Sequence, residues 1–480
     1  MILLPFMCFI QGSRANAPCE KVSDCGCSGF LAFLEELFGD VATAGGYRYG
    51  AKDNLGHRLD TLKIIENPRG GYLGVYHYSP TENSRDFNVS LAISTDILNW
   101  KFNRTIEPEA SQPTIAQAPN GAYIVAFEKH VFIGTKEERH LGFYYFPNLT
   151  SLLTNSSAYK FIAPLTVAAR NEGTPNIYNI TIENSIMQVL VGFHYNDAFG
   201  LDRVAIGHLI IPLDNPQNMI WNCTKPQQKY NQELLETYPD IEGHIGDRDY
   251  GQIFGRNFTL QEAQYVRGND STWAVFLYDH LTNTFHELNI KTHKGSKSFA
   301  NPTFTVLNSP AGDIRIIMTY FLHTAGNAAM PGEGGELIFT KKLQASVTDE
   351  KYDLVIYSNS TIKHYCVDVA EKSVNIVVTG EDGTKGYCII KLPKNLTQSL
   401  WNDSFIVLLD GVEYPFEKWS DSQYTYVYLH YLHSKHEIKI IPEPFCIITL
   451  AVLAGSSILI LYKSKRKEIA KTADESLLRR

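Results

Sequence analysis

Cysteine and positive charge are both scarce in this chain of 480 residues, which has 8 cysteines and a formal net charge of −8. So few cysteines exclude a small disulfide-dense scaffold, which needs many cysteines in a short chain. The acidic balance, with no basic stripe before the C-terminal tail, argues against a nucleic-acid partner. The sequence also lacks a P-loop, a dinucleotide-binding glycine motif, a Cys/His nucleophile pair and a zinc-binding helix, which excludes the enzyme classes built on them.

The cysteines that are present form two groups. Cys366 and Cys388 lie on neighbouring predicted strands, which predicts a disulfide between them in an oxidising compartment. Cys19, Cys25 and Cys27 lie close together, but no fourth ligand has the spacing of a zinc site. We therefore favour a disulfide or free thiols for that group.

An uncharged apolar run, Phe445–Tyr462, lies near the C-terminus. With Pro444 it reaches the lower limit of the roughly 17–25 residues that span a hydrocarbon core. Cationic residues beside a span stay cytoplasmic, and here they follow it, at Lys463, Lys465, Arg466, Lys467 and Lys471. The sequence thus predicts a single-pass protein of the cell membrane, with a transmembrane helix over residues 444–462, a cytoplasmic tail over 463–480 and the bulk of the chain extracellular. The alternative is a buried core helix.

The N-terminus has some features of a secretory signal. Ile2–Ile10 is apolar, and Ala15-Asn16-Ala17 offers small residues at the cleavage spacing. However, no basic residue precedes the apolar run, and Pro18 would follow the cut. We therefore predict a signal peptide over residues 1–17 and leave its cleavage open.

Glycosylation sequons occur throughout the region before the apolar run and not after it. Each Asn-x-Ser/Thr pattern alone is weak evidence because it is common by chance. Their distribution favours a glycosylated extracellular region. The asparagines are Asn88, Asn103, Asn148, Asn155, Asn179, Asn222, Asn257, Asn269, Asn359, Asn395 and Asn402.

Residues 46–345 have an all-β pattern, preceded by an N-terminal segment, 18–45, with one amphipathic helix candidate at Phe30–Phe38. The pattern repeats: a short strand, a turn, an aromatic-rich strand and often a third strand. Repeats of roughly 40–60 residues made of short strands are typical of propeller blades. Five units predict a five-bladed β-propeller, whereas a β-sandwich of this size would exceed the usual length of one domain. The first strands begin at Leu59–Leu62, Gln112–Ile115, Thr174–Ile177, Glu262–Tyr265 and Asn301–Phe304.

Two further segments complete the predicted organisation. Ile211–Glu242 delays the fourth unit, and we interpret it as a loop. Residues 349–441 contain alternating strands at a spacing that suits an immunoglobulin-like β-sandwich. Through Ser358–Thr361, Val377–Gly380 and Leu409–Gly411, this segment resembles the membrane-proximal β-sandwich of archaeal surface proteins, which implies a stalk.

A motif after the first predicted blade points to a family. Ser94, Asp96 and Trp100 form a Ser-x-Asp-x-x-x-Trp pattern between a strand and a turn. It resembles the corresponding motif of five-bladed propeller glycosidases, the arabinosidases and xylosidases of glycoside hydrolase family 43 and the related fructosidases. The resemblance covers residues 47–343 in architecture and few specific motifs, and it implies hydrolysis of glycosidic bonds.

The resemblance also implies catalytic positions. It places a carboxylate base or nucleophile at Asp60, where the first blade begins, and the general acid at Glu172, before the third-blade strand. Two facing carboxylates are sufficient in principle for glycoside hydrolysis. The alternatives are that Asp60 is a turn residue and that Glu172 is a solvated loop residue.

The second blade departs from the family pattern. Family members carry there an aspartate that tunes the acid, whereas this chain has Gln112, which we expect to contact substrate. Asp247 or Asp249 could supply the missing charge. Arg248 between them could bind an anionic ligand or pair with a carboxylate, and a structural salt bridge is the alternative.

Three histidines near strand ends, His77, His194 and His244, are further candidates for binding sugar hydroxyls. Their spacing is no metal signature, so no cofactor is predicted, although a structural ion in the propeller channel stays open. Tyr76, Phe127, Phe193 and Trp273 could stack on sugars, and the alternative is that most of them form the core between blades.

These observations predict a cell-surface glycoside hydrolase-like propeller that acts on an extracellular polysaccharide or glycan. A non-catalytic carbohydrate-binding or adhesion protein is the first alternative, favoured by Gln112 and by the predicted anchor. A surface-layer structural protein is the second. The oligomeric state is not predicted.

The charge asymmetry around Phe445–Tyr462 gives a test of topology. Protease added to intact cells should remove the region before Glu443 and leave the tail protected, as followed with a tag on the C-terminus. Cleavage of that tag on intact cells, or a full-length protein that is soluble without detergent, would contradict the predicted orientation.

Overall fold

A computed structural model describes residues 29–81, 86–223 and 228–443, without the side chains of Gln228, Lys229 and Asp247. The predicted signal peptide, the cysteines at 19, 25 and 27, the predicted span over 444–462 and the tail lie outside these ranges. Within them, no helix is both long and apolar enough to cross a membrane. The described chain consists mainly of β-strands, which confirms the predicted all-β class.

The chain divides into two compact units. Unit 1 comprises Met1–Gly251, Phe258–Thr305 and Ile316–Lys341, and unit 2 comprises Gln252–Asn257, Val306–Arg315 and Lys342–Arg480, each as far as it is described. The division after Lys341 lies close to the boundary predicted between residues 345 and 349.

Unit 1 begins with helix α1 (Phe30–Gly39), at the predicted position, and strand β1 (Gly46–Arg48). Five four-stranded sheets follow in chain order, and the fifth takes β1 as its fourth strand. This is a propeller-like arrangement. Sheet 1 contains β2 (Asp60–Glu66), β3 (Tyr72–Tyr78), β4 (Asn88–Ser94) and β5 (Trp100–Pro108); sheet 2 contains β6 (Ala110–Gln117), β7 (Tyr123–Ile133), β8 (Lys136–Phe146) and β9 (Tyr159–Ile162), with α2 (Leu149–Thr154) between the last two; sheet 3 contains β10 (Glu172–Glu183), β11 (Ile186–Asn196), β12 (Asp202–Pro212) and β13 (Ile220–Asn222), followed by α3 (Gln228–Thr237); sheet 4 contains β14 (Ile245–Ile253), β15 (Arg256–Gln264), β16 (Trp273–Asp279) and β17 (Thr284–Glu287); and sheet 5 contains β18 (Phe299–Asn308), β19 (Ile314–Leu322) and β20 (Gly335–Leu343).

The predicted loop Ile211–Glu242 was wrong in part, because it contains β13 and α3. Asn231 attaches α3 to β12: its amide oxygen accepts from the Val204 N–H at 3.0 Å and its Nδ2 donates to the Val204 carbonyl at 3.1 Å. This side chain satisfies both backbone groups of Val204 at a part of β12 that β13 does not reach, since β13 pairs only with His208–Ile210.

The fourth unit was also assigned wrongly. Glu262–Tyr265 was predicted to start the first strand, but Glu262 lies on β15, the second strand of sheet 4. The first strand is β14, whose sequence IGDRDYGQI contains glycines and charges instead of an apolar run. Its side chains have polar partners, described below, and the hydrophobic pattern therefore failed to reveal it.

The first strands of four sheets begin with the same backbone irregularity. Gln112, Thr174 and Asn301 have φ of 51°, 48° and 50° and precede a proline, and Thr61 has φ of 56°. The strand register shifts at Gln112, Thr174 and Thr61. A bulge leaves residues out of the hydrogen-bond ladder, which accommodates a proline that cannot donate. The residues at these strand starts are therefore left free to make contacts other than regular strand pairing.

A buried ion pair joins the first strands of three sheets. Lys63 Nζ of sheet 1 lies 2.5 Å from Asp249 Oδ2 of sheet 4, with side chains 11% and 3% exposed. Phe304 of sheet 5 contacts both, because its N–H donates to Asp249 at 2.8 Å and its carbonyl accepts from Lys63 at 2.8 Å. Burial raises the pKa of Asp249, and the Lys63 ammonium opposes that rise.

Unit 2 consists of two five-stranded sheets that share one apolar core, where the sequence predicts a β-sandwich. A helix, α4 (Lys394–Trp401), lies between two of the strands and was not predicted. One sheet contains β21 (Ala345–Asp349), β22 (Leu354–Ser358), β25 (Lys385–Pro393), β28 (Glu417–Ser420) and β29 (Tyr424–Leu432), and the other contains β23 (Thr361–Asp368), β24 (Ser373–Thr379), β26 (Phe405–Leu409), β27 (Val412–Glu413) and β30 (Lys435–Pro442).

The predicted Cys366–Cys388 disulfide was wrong. Both cysteines are free: Cys366 is exposed on β23, and Cys388 is buried on β25 of the other sheet. The two strands are close in sequence but belong to opposite layers of the unit, so their side chains are not paired.

The Lys63–Asp249 pair predicts a pattern of stabilities. Lys63→Met should lower the free energy of unfolding by about 3–5 kcal/mol, because a buried carboxylate then lacks its cation. The double variant Lys63→Met/Asp249→Asn should recover part of that loss, as measured by urea unfolding.

Lys342→Met is the matched control, because it removes a 2.6 Å ion pair with Asp313 whose lysine is 52% exposed. Exposed pairs contribute at most about 1 kcal/mol. A Lys63→Met variant no less stable than Lys342→Met would contradict the role given to the buried pair.

Candidate functional site

A cavity of about 290 Å³ in unit 1 is lined by side chains from all five sheets. Each sheet contributes at least one polar residue: His77, Glu128, His194, Glu262 and Asn301, in sheet order. The first four lie on the second strand of their sheet, near its end in β3, β11 and β15 and in the middle of β7. The cavity is therefore built by equivalent positions of successive sheets.

In sheets 1 and 2, the second-strand side chain reaches the first strand of the next sheet. His77 Nδ1 accepts from the Gln112 N–H at 3.2 Å. The Glu128 carboxylate occupies the space beside Gly173, where an added Cβ would lie 1.9 Å from Oε2. Any larger residue at 173 would displace this carboxylate.

Sheets 3 and 4 repeat the arrangement. His194 covers Gly246, where an added Cβ would lie 2.2 Å from Cε1. Glu262 accepts a short hydrogen bond from the Asn301 N–H. The residues that line the cavity are thus also the residues that join neighbouring sheets, which fixes their positions without a ligand.

Glu128 is held as a carboxylate. Its Oε1 accepts from Ser111 at 3.1 Å and from Arg139 at 2.9 Å, and His130 Nε2 lies at 3.5 Å. Burial alone would raise the pKa of Glu128, but the hydrogen bond and charge of His130 together with Arg139 and Ser111 hold it at about 2. An ionised carboxylate at this position can accept hydrogen bonds from hydroxyl groups or act as a base or nucleophile.

The side chain of His77, in contrast to that of Glu128, is uncharged. Burial, with the positive charge of Arg248, lowers the pKa of His77 to about 3, so the imidazole is neutral. Since Nδ1 accepts from Gln112, the proton lies on Nε2. Arg248 Nη2 donates to Gln112 Oε1 at 2.9 Å, and its Nε lies 3.7 Å from Glu262.

One part of the cavity lining is aromatic and acidic. Trp273 and Asp270 line it, and the indole is nearly parallel to the rings of His244 and His323, whose centroids lie 6.2 and 6.3 Å from its own. His244 Nδ1 lies 2.9 Å from Asp202 Oδ2. The hydrogen bond from Asp202 raises the pKa of His244 against burial.

Of the predicted binding residues, Gln112, Arg248, His77 and His194 line the cavity. His244 does not line it but contacts Asp202 and Trp273, which do. Of the four aromatic candidates, only Trp273 lines the cavity; the buried rings of Tyr76, Phe127 and Phe193 belong to the core.

The predicted catalytic acid Glu172 is placed elsewhere. It is 1% exposed and does not line the cavity. Its carboxylate accepts from the backbone N–H groups of Thr166 at 2.6 Å, Ala168 at 2.9 Å and Val167. A carboxylate with three backbone donors holds the preceding loop in place, so the expected pairing of Glu172 with Asp60 across one pocket is not found.

Asp60 does not line the cavity either; it is coupled electrostatically to Glu336 of β20. Glu336 accepts from the N–H groups of Thr61 and Leu62 at 3.2 and 3.3 Å. Burial raises the pKa of Asp60 to about 6 against the charge of Arg58. Burial and the neighbouring Asp60 raise the pKa of Glu336 well above its usual range.

The remaining predicted acids are Asp247 and Asp249. Asp249 belongs to the buried pair with Lys63 and does not line the cavity. The side chain of Asp247 lies outside the described atoms. The catalytic roles assigned to these acids from the sequence remain predictions, and the described carboxylates that line the cavity are Glu128, Asp202, Glu262 and Asp270.

None of these four acids was predicted from the sequence as a site residue, because the family resemblance implied other carboxylates. A signal for one of them was present in the sequence. Glu128 follows a buried aromatic residue in an apolar strand, as His77 and His194 do, and each pairs with the start of the first strand, at Ser111, Asp60 and Gly173 respectively. A lone polar residue at that repeated position marks the cavity. Among the described residues, no group of three or more His, Cys, Asp or Glu could hold a metal ion.

The chain matches no family model and no curated protein. Similar solved structures include a thermostable family-43 glycoside hydrolase, with TM-score 0.38, 11% identity, and coverage of 62% of this chain and 91% of that one. They also include an exo-1,5-α-L-arabinanase from a bovine ruminal metagenomic library, with TM-score 0.38, 10% identity, and coverage of 61% and 94%. A GDP-Man-dependent mannosyltransferase from Leishmania mexicana has TM-score 0.36, 12% identity, and coverage of 62% and 89%.

Likenesses this distant carry no argument about activity, which has to rest on the cavity itself. They include the family that the Ser94–Trp100 motif resembles. They give no support to the resemblance drawn for residues 349–441.

Asp60 predicts a pH-dependent stability. Because its folded pKa is raised, its contribution is fully present below the unfolded pKa of about 4 and is lost as pH rises through about 6. The free energy of unfolding of Asp60→Asn should therefore be about 1–3 kcal/mol higher than that of the wild type at pH 7.5. This difference should vanish near pH 4.

Thermal unfolding across pH 4–8 measures this difference. Asp96→Asn is the opposite-sign control, because hydrogen bonds from Asn99 lower the pKa of Asp96. That variant should be the less stable partner at neutral pH. A pH-independent difference for Asp60→Asn would show that the carboxyl is not perturbed.

Proposed function

We propose that unit 1 is a closed five-bladed propeller that binds a carbohydrate in its cavity and hydrolyses a glycosidic bond. The observation that carries the proposal is the convergence of carboxylate, imidazole, guanidinium and indole groups from different sheets on one cavity of about 290 Å³. Such a mixture suits a ligand covered with hydroxyl groups, since carboxylates and neutral imidazoles can accept and donors such as Arg248 can donate. An indole face packs against the C–H surface of a sugar ring.

Glu128 and Glu262 are the carboxyl groups to which we assign the chemistry. Both are 5% exposed and line the cavity, whereas Asp202 and Asp270 are less buried. They lie on sheets 2 and 4, which are not consecutive, so a ligand can lie between them. Glu128, held ionised, would be the base or nucleophile, and Glu262 would donate the proton to the leaving oxygen.

A binding function without catalysis is the second candidate, and one observation favours it. Neither Asp60 nor Glu172, the positions that the family resemblance implies, lines the cavity, and Gln112 is occupied by Arg248 and Thr61. In this alternative, Glu128 and Glu262 serve only as hydrogen-bond acceptors.

For location, we propose a single-pass protein of the cell membrane with both units extracellular and glycosylated. The apolar run Phe445–Tyr462, the cationic residues that follow it and the distribution of sequons support this proposal. The substrate would then be an extracellular polysaccharide or glycan.

Hydrolysis of a panel of aryl glycosides tests the proposed chemistry. Glu128→Gln should lower kcat at least about 100-fold for every substrate, because the base or nucleophile is lost. Glu262→Gln should have that effect on substrates with poor leaving groups and a smaller one on substrates with good leaving groups.

Glu183→Gln is the matched control, since Glu183 is an exposed glutamate at the far end of β10. It should leave kcat unchanged. A wild-type protein that retains glycosides on an affinity column but cleaves none would support the binding function, and full activity of both cavity variants would exclude the assigned roles.

A further inference from the structure

Glu128 belongs to a closed network of two acidic and two basic side chains. His130 Nε2 lies 3.5 Å from Glu128 Oε1, and His130 Nδ1 lies 3.1 Å from Glu137 Oε1. Arg139 closes the network, because its Nη1 donates to Glu128 Oε1 at 2.9 Å and its Nε lies 3.7 Å from Glu137 Oε1. Acidic and basic groups therefore alternate around the network, so each carboxylate has a basic group on both sides.

The β7–β8 hairpin supplies all four members of this network. Glu128 and His130 are two residues apart on β7, Glu137 and Arg139 are two residues apart on β8, and the strand register pairs His130 with Arg139. Since alternate residues of a strand point to the same face, the four side chains share one face of the hairpin. Strand pairing therefore fixes the network without a ligand.

The two oxygens of Glu128 have different surroundings. Oε1 accepts from Ser111 at 3.1 Å and from Arg139 at 2.9 Å, and His130 lies beside it. No group of the described residues donates to Oε2. Oε2 lies beside Gly173, which lines the cavity as Glu128 does. The carboxylate therefore has one anchored oxygen and one that is available to a ligand.

One member of the network stands outside the cavity. Glu128, His130 and Arg139 line the cavity, whereas Glu137 does not, and its side chain is 37% exposed. Glu137 can therefore affect a ligand in the cavity only through His130 and Arg139.

The charge of Glu137 bears on Glu128 through His130. Without that charge, His130 and Arg139 would face one carboxylate instead of two, which disfavours two positive charges side by side. Glu128 would then lose part of the positive charge that keeps it ionised. The titratable, charged and hydroxyl groups around His130 come from β3, β6, β7 and β8, and they are His77, Ser111, Glu128, Glu137 and Arg139.

We propose that His130 and Glu137 are positioning residues for Glu128: with Arg139 they hold Oε1, so that Oε2 is the atom that meets the ligand. This inference rests on the proposed carbohydrate function. It applies to hydrolysis and to binding alike, since Glu128 acts as an ionised carboxylate in both. Glu137 touches no ligand in this scheme, yet it determines how far the pH can fall before the cavity loses affinity.

Calorimetric titration of the full-length chain, purified in detergent, tests this inference at pH 7 and pH 4. The probes are the methyl glycosides of glucose, mannose, galactose, xylose and arabinose. Wild-type Glu128, whose pKa is held at about 2, stays ionised at both pH values. Glu137→Gln keeps an acceptor for His130 and removes the charge. Its affinity should match that of the wild type within about twofold at pH 7 and be about two- to tenfold weaker at pH 4, because Glu128 then becomes partly protonated. His130→Gln should lose at least as much affinity at pH 4.

Glu138→Gln is the matched control. Glu138 is the next residue on β8 and pairs with His140 Nε2 at 3.4 Å, and neither of these two residues lines the cavity. This variant should match the wild type at both pH values. A Glu137→Gln protein that also matches the wild type at both, or that loses the same affinity at pH 7 as at pH 4, would overturn this inference while leaving the cavity as a sugar site. Failure of every probe to bind the wild type at pH 7 would overturn the proposed function together with it.

Discussion

The buried contact between Lys63 and Asp249 is the constraint on which much of unit 1 depends. Lys63 comes from sheet 1 and Asp249 from sheet 4, and Phe304 of sheet 5 donates to one and accepts from the other. Removing two charges from water is unfavourable unless each finds its partner. The pair therefore fixes the positions of the three first strands relative to each other. An apolar contact would fix these positions less strictly. The pair also explains why β14 carries charges in place of an apolar run.

Around this contact, the sheets are joined by side chains that also form the cavity. His77, Glu128, His194 and Glu262 each reach from a second strand to the start of the next first strand. The glycines at 173 and 246 leave room for two of these side chains. Because a structural role already fixes these groups, the cavity is preorganised, and little reorganisation is needed to bind a polar ligand.

The sequence was sufficient for the β class, for the number of repeating units and for several residues of the cavity. Periodicity identified the apolar second strands. The departure from the family pattern led to Gln112 and to Arg248, and both line the cavity. It failed at β14, where polar partners replace hydrophobic burial, and at Glu128 and Glu262, whose carboxylates lie in strands that otherwise appear to be core. Family resemblance pointed to Asp60 and Glu172, yet neither lines the cavity: Glu172 accepts from three backbone N–H groups, and Asp60 lies beside Glu336. A carboxylate's role depends on the groups that face it, and those come from distant segments that sequence spacing does not reveal.

The central claim is that carbohydrate binds where the second strands converge. A crystal structure of the protein soaked with the sugar that it retains on an affinity column would test this most directly. The account predicts a sugar ring in contact with Glu128 and Glu262 and beside the indole of Trp273. A sugar bound at Glu172 or Asp60 with the cavity empty would contradict it.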